Sequence, residues 1–398
     1  MSLTRRRLFQ LSGGVWGGMA LTAMMGSCRT HQVTAHGEMS TASPANPTVT
    51  PAATSQASLT QDGVFNPPRG DVRIAIISDL NEAYGSTTYS TEVTRAIALL
   101  PGWQPDLVLC GGDMVAGQKR DLTQAQILAM WDGFDRAIAQ PLRAANLPFG
   151  FTIGNHDASR AMANGRYSFQ QERDLAAAYW NDPQHNPGLN FIDRYRFPFY
   201  YSFQQGDGFF LVWDASNGAA MAADDRAWVE RSLGSPQAQQ AAFRIVIGHL
   251  PLYAVAQNRD RPGEVMNNAT ELQLLLERYR VHTYMSGHHH AYYPGHIGQL
   301  NLLHTGALGG GPRQLLVGDR PARKTLTLVD MALTSASTTY TTFEIPTLRV
   351  VAMQDLPRII PSHNGAVIRQ DLPWAALSPQ EKSTCLTHVS QVVCEATA

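Results

Sequence analysis

Pro148-Phe149-Gly150-Phe151-Thr152-Ile153-Gly154-Asn155-His156-Asp157 is the stretch from which the rest of the chain can be read. Its first half has the length and apolar character of a buried strand, and that strand runs straight into an Asn, a His and an Asp. Four other stretches repeat the layout. Asp79 follows the run 72–78, Asp113 the run 107–110, His249 the run 243–247, and His288 and His290 the run 281–285. In an open α/β sheet, ligands gather beyond the carboxyl ends of the strands, so five such ends can converge on one place. Asp, Asn and His gathered there form a set of oxygen and nitrogen donors suited to divalent metals.

In chain order the blocks are Asp79-Leu80-Asn81, Gly112-Asp113, Gly154-Asn155-His156-Asp157, Gly248-His249 and Gly287-His288-His289-His290. Any one of them has a bland reading: Asp113 as a turn residue, His249 as a cap on a backbone carbonyl. Together they resemble the calcineurin-like metallophosphoesterase superfamily. That family carries Asp-x-His, Gly-Asp, Gly-Asn-His-Asp/Glu, a His after Gly, and Gly-His-x-His, in this order. The resemblance covers residues 71–345 and departs at one position, where Asn81 stands in place of the family's His.

What the resemblance implies is specific. The fold would be a four-layer α/β/β/α sandwich, two mixed sheets flanked by helices. Two divalent or trivalent ions, manganese or iron with zinc also compatible, would share Asp113 as a bridge. Asp79 and His290 would hold the first ion, with Asn81 as a weak oxygen ligand. Asn155, His249 and His288 would hold the second. A hydroxide between the ions would attack a phosphomonoester or phosphodiester, and His156 would protonate the leaving group. The alternative is a catalytically silent, tethered binding protein that keeps the fold but has lost the first metal through Asn81. Residues 114–118, Met-Val-Ala-Gly-Gln, lack the Asp and Arg of the family's protein phosphatases and the Tyr of its purple acid phosphatases. The expected substrate is a small phosphate ester.

Composition agrees with one large catalytic domain plus attachments. Of 398 residues, 44% are hydrophobic, too many for general disorder. The 31 Lys+Arg against 32 Asp+Glu leave a net charge of −1, which indicates no nucleic-acid groove. Attraction for an anionic substrate must then come from bound metal.

Before the first strand, residues 1–28 read as an export signal. Thr4-Arg5-Arg6-Arg7-Leu8-Phe9 resembles the twin-arginine motif, and a Gly-broken apolar run follows. Met25-Gly26-Ser27-Cys28 resembles a lipobox, so Cys28 either carries a lipid anchor or belongs to a leader cut nearby. The partners expected are the twin-arginine machinery and the membrane, and the expected place is the periplasm or cell envelope. Residues 29–70, rich in Ser, Thr, Ala and Pro, read as a tether ahead of a catalytic domain at 71–350 and a C-terminal extension at 351–398.

Helices are predicted near 92–100, 123–145 with a break at Pro141, 169–180, 223–233 and 270–279. Strands near 300–304, 325–329 and 339–345 are expected to complete a second sheet. In the tail, Ser378-Pro379-Gln380-Glu381 is a capping box. Cys385 and Cys394 would lie about 13.5 Å apart along one straight helix, so a disulfide requires that helix to end between them.

Overall fold

The computed structural model of the chain describes residues 58–396. The export signal, the lipobox and the tether up to residue 57 lie outside the described residues.

Three apolar runs, Val72–Ile77, Leu107–Cys110 and Phe149–Phe151, pair in parallel with Ile77, Cys110 and Phe151 side by side at the carboxyl edge. Apart from Arg73 they are apolar, because both faces are covered. Helix Thr91–Trp103 makes the first crossover. The second begins with Gln124–Phe134, whose Thr123/Gln126 capping box satisfies its first amides. It does not break at Pro141. The segment widens to a π turn over Asp135–Ala139, where Gln140 N–H reaches back to the Asp135 carbonyl, and continues through Gln140–Ala144. The wider turn accommodates a ring and a missing N–H that the α ladder cannot.

The larger, nine-stranded sheet has its own parallel centre, Gly208–Val212, Phe243–Ile247 and Thr283–Ser286, with Val212, Ile247 and Met285 aligned. Side chains alternate across it as a period of two demands. Phe210, Val212, Ile245, Ile247 and Met285 join the core shared with Ile74, Ile76 and Leu109 of the smaller sheet. Phe209, Leu211, Val246 and Tyr284 face outward, onto Trp228 and Val229 of helix Ala223–Leu233 and Leu272 and Leu276 of helix Ala269–Arg278. The expected sandwich of two mixed sheets with flanking helices is thus present.

The three late strands divide between the sheets instead of completing one. Leu300–His304 pairs with Thr283–Ser286, whereas Lys324–Ala332 lies antiparallel to Val72–Ile77 in the six-stranded sheet and carries Ser337–Ile345 beside it. Alternation shows that a strand is half-buried; it does not show which sheet supplies the neighbour. The connection at 158–198 holds helix Gln170–Asn181 and also an unexpected edge strand, Asn190–Arg196, paired with Tyr200–Gln205.

Ordered structure also starts earlier than composition suggested. Ser58–Leu59 pairs with Phe65–Asn66, and Trp103 Nε1 donates to the Phe65 carbonyl at 3.0 Å. Arg73, 1% exposed, anchors this segment. Its five N–H groups are all used, on Asp330 at 2.8 and 3.1 Å, Asn66 at 2.7 Å, Pro67 at 2.8 Å and Trp103 at 3.1 Å. Asp330→Ala would leave that buried guanidinium without its carboxylate. It should lower the unfolding free energy by about 3–5 kcal/mol, read as a fall in denaturant midpoint at constant slope. A loss below about 1 kcal/mol would mean that the carbonyls alone suffice.

At the C-terminus, strands Ile359–Ser362 and Gly365–Arg369 extend the larger sheet through His296 and Gly295. Helix Pro379–His388 ends at an extended Val389 before a second short helix, Gln391–Glu395. That break brings Cys385 and Cys394 to a Cα separation of 6.1 Å, and they are disulfide-bonded.

Candidate metal centre

Asp79, Asp113 and Asn155 leave the carboxyl ends of the smaller sheet's parallel strands, and His249, His288 and His290 leave those of the larger sheet. The centre therefore lies on the seam between the sheets. Four of these six residues have left-handed backbones: Asp79 (φ 50°), Asp113 (54°), His288 (64°) and His290 (53°). A non-glycine residue there costs on the order of 1 kcal/mol or more, and such strain concentrates at functional sites. Close approach explains Gly154, since a Cβ on it would lie 2.1 Å from Asp113 Oδ1.

The side chains converge with their lone pairs facing one another. Asn155 Nδ2 donates to Gln118 Oε1 at 2.7 Å, which aims Oδ1 inward. His249 Nδ1 donates to the Gly111 carbonyl at 2.7 Å, leaving Nε2 2.9 Å from that Asn155 oxygen and 3.3 Å from Asp113 Oδ2. His288 Nε2 lies 2.9 Å from Glu264 Oε2 and 3.3 Å from Arg259 Nη1; the shorter contact is to a carboxylate that can only accept, which favours the ring proton on Nε2. His288 Nδ1 then presents a lone pair to Asn155 Oδ1 at 2.9 Å. A cation shared by both atoms would satisfy two acceptors at that distance. Separations near 3 Å are those between adjacent ligands of an ion with bonds of about 2.1 Å.

On the other side, His290 Nδ1 donates to the Gly311 carbonyl at 2.9 Å and turns Nε2 toward Asp79 Oδ1 at 3.2 Å. Donor atoms of Asp79, Asp113 and His249 all lie within 4.8 Å of one another, in a grouping able to hold a metal ion.

Electrostatics supports this arrangement. Burial opposes ionisation of Asp113, but His249 and His156 beside it hold its carboxyl well below the usual range. Asp79 is likewise lowered against its burial by His290. Burial lowers the pKa of His249, yet Asp113 and Asp79 outweigh it and raise the imidazole to about 9. The two carboxylates thus attract positive charge to the place where a metal would sit. His288 goes the other way, lowered by burial to about 4, which suits a neutral ligand.

His156 stands at the rim. Its Nδ1 faces the Gly117 carbonyl at 3.1 Å, Nε2 is 4.0 Å from Asp113 Oδ2, and its ring lies against Tyr84. Asp157 is structural: it accepts from Val115 N–H and Gly154 N–H, both at 2.8 Å.

Asn81 comes to the site by its backbone, with N–H donating to the Asp113 carbonyl at 3.1 Å. His289 is bonded to Val255 N–H and the Glu264 carbonyl, behind the centre. Asp214 pairs with Arg173 at 2.8 Å, and His304 faces the carbonyls of Tyr293 and Tyr253; both are packing residues. The glycine-rich 306–311 segment is tied to the first strand's exit: the Leu308, Gly309 and Gly310 N–H groups donate to the Ser78, Asp79 and Asn81 carbonyls.

Glu264 escaped the sequence reading. It lies on a loop without periodicity, and only the charge run Arg259-Asp260-Arg261 ahead of it hints at a role. Arg259 and Arg261 both bind its carboxylate, which in turn fixes the tautomer of His288. Glu264→Gln should weaken metal binding roughly 10- to 100-fold, measured by chelator competition on folded protein. Unchanged affinity would reduce Glu264 to a loop anchor.

Comparison with known proteins places this geometry in context. Residues 72–292 match the calcineurin-like phosphoesterase family. Purple acid phosphatase 21 of Arabidopsis thaliana is 26% identical over 163 residues, 41% of this chain and 34% of that protein. The solved purple acid phosphatase of yellow lupin (Lupinus luteus) seeds superposes with a TM-score of 0.50 at 17% identity, covering 72% of this chain and 54% of that one. The likeness to the lupin protein is one of fold, and this chain spans only part of the length of either relative.

Proposed function

The chain belongs to the calcineurin-like phosphoesterase family, and from that membership we propose that it hydrolyses phosphate esters at a two-metal centre bridged by Asp113. The supporting observation is the meeting of Asn155 Oδ1 with His249 Nε2 and His288 Nδ1, each 2.9 Å away, while hydrogen bonds tie down the far atom of every one of the three side chains. Such a site is ready for a cation before the cation arrives. Asn155, His249 and His288 would hold one ion, Asp79 and His290 the other, and manganese or iron suits this mixture of carboxylate and imidazole. When bound, such ions would supply Lewis acidity toward a phosphoryl group and lower the pKa of a coordinated water.

The protein's own residues do the rest. Asp113 is oriented by the His156 N–H at 2.8 Å on Oδ1, which leaves Oδ2 toward the centre. His156, partly exposed, can deliver a proton to the departing alcohol. The purple acid phosphatase relatives agree with phosphoester hydrolysis, although residues 114–118 contain no Tyr.

Metal analysis paired with turnover of a generic phosphomonoester and phosphodiester tests the reading. Two ions per chain and hydrolysis of either ester are expected. A metal-free, inert protein would favour a binding role on the same fold.

A further inference from the structure

Beside His290 the fold leaves a cavity of about 230 Å³. Tyr292, Leu315, Val317, Val351 and Leu356 give it apolar walls. Two of its arginines are neutralised, Arg320 by Asp355 at 2.6 Å and Arg323 by Glu344 at 3.2 Å, and Asp319 stands beside them. Arg313 is different. Its backbone N–H donates to the His290 carbonyl at 3.0 Å, while among the described residues its guanidinium makes no hydrogen bond and Nε is buried without a partner. Burial lowers its pKa, Arg259 adds to this, and Glu264 and Asp79 oppose it. Its backbone bond to His290 and its place in the cavity wall set Arg313 where the cavity adjoins the metal centre.

We infer that this cavity receives an apolar, ring-sized part of the alcohol half of a phosphate ester, with Arg313 against a phosphoryl oxygen. The protein then selects esters of bulky apolar alcohols over small ones. The inference rests on the phosphoesterase reading above and names its substrate class. Size supports it, because an apolar cavity of about 150 Å³ already holds benzene. Charge supports it too. A half-buried guanidinium without a partner is costly, and its planar fork matches a phosphate oxygen pair.

The test compares naphthylmethyl phosphate with ethyl phosphate, two alkyl esters with leaving groups of similar basicity, on the metal-loaded full chain. Binding of naphthylmethylphosphonate, followed by its fluorescence, supplies a readout that needs no turnover. The wild type should favour the naphthylmethyl ester by roughly tenfold to a hundredfold in kcat/KM. Val317→Trp, which fills the cavity, and Val317→Asp, which makes it polar, should both bring that ratio toward one. Val317 is 40% exposed, so neither change disturbs the core. Arg313→Gln should weaken phosphonate binding by about tenfold.

A wild type that turns over both esters equally, or a preference untouched by both Val317 variants, overturns the inference while leaving the phosphoesterase reading intact. If neither ester is hydrolysed but the phosphonate binds and needs Arg313 and Val317, the cavity assignment stands and the hydrolytic reading falls. Absence of both turnover and binding overturns the inference.

Discussion

Asp113→Ala is expected to lower kcat/KM for any phosphate ester by at least about 10³, because the proposed function would make it a group shared by both ions, worth several kcal/mol. The residue is 1% exposed, takes the His156 N–H on one oxygen and faces His249 with the other. No neighbouring carboxylate can replace it. Asp79 is committed to Ser78 and the His288 N–H, and Asp157 to the amides of Val115 and Gly154. The substitution should also show at a distance. Burial, and after it the charge of Asp113, raises Asp157 to about 7, so removing Asp113 should let Asp157 ionise at lower pH. Metal content, activity and secondary-structure signal should be measured together. Full metal content with no activity would make Asp113 a catalytic group and not a bridge; retained activity would remove it from the centre altogether.

His156→Ala should cost roughly 10²–10⁴ in kcat with poor leaving groups and much less with good ones, because only a basic alcohol needs a proton as it departs. Its metal content should be that of the wild type. Nδ1 is occupied by the Gly117 carbonyl at 3.1 Å, and Nε2 stands 4.0 Å from Asp113 Oδ2, farther off than the donors around Asn155. Two measurements decide the role: metal stoichiometry, and the slope of log kcat against leaving-group pKa. A slope that His156→Ala does not steepen would rule out proton donation, and loss of an ion would make His156 a ligand or its support.

The strand ends of the centre were legible because a strand entering a buried site is mostly apolar and gives way within a few residues to polar side chains. Asp79, Asp113, Asn155, His249, His288 and His290 all follow a largely apolar run within a few residues, several of them just after a glycine, and the structure brings them together. Glu264, Gln118 and Arg313 follow no strand so closely. They reach the site from loops, where no period links a residue to its neighbours in space. The strand at 324–332 was visible as a strand, but its pairing with Val72–Ile77 joins segments some 250 residues apart. Local pattern cannot encode such a choice. Ser58–Asn66 was hidden by a polar composition; its order comes from what Trp103 and Arg73 do to its carbonyls and to Asn66.

The seam position of the centre also bears on the order of events when the chain folds. Half of the donor set comes from residues 79–155 and half from residues 249–290, each on its own sheet. Neither sheet alone can assemble the cluster, so a chain with one sheet formed has nothing to offer an ion beyond isolated side chains. Capture of metal would then date the moment when the halves dock, and afterward act as a rivet, adding stability that grows with metal concentration. During refolding, ion uptake should lag behind the return of secondary structure; uptake that runs ahead of it would show a centre assembled from one half.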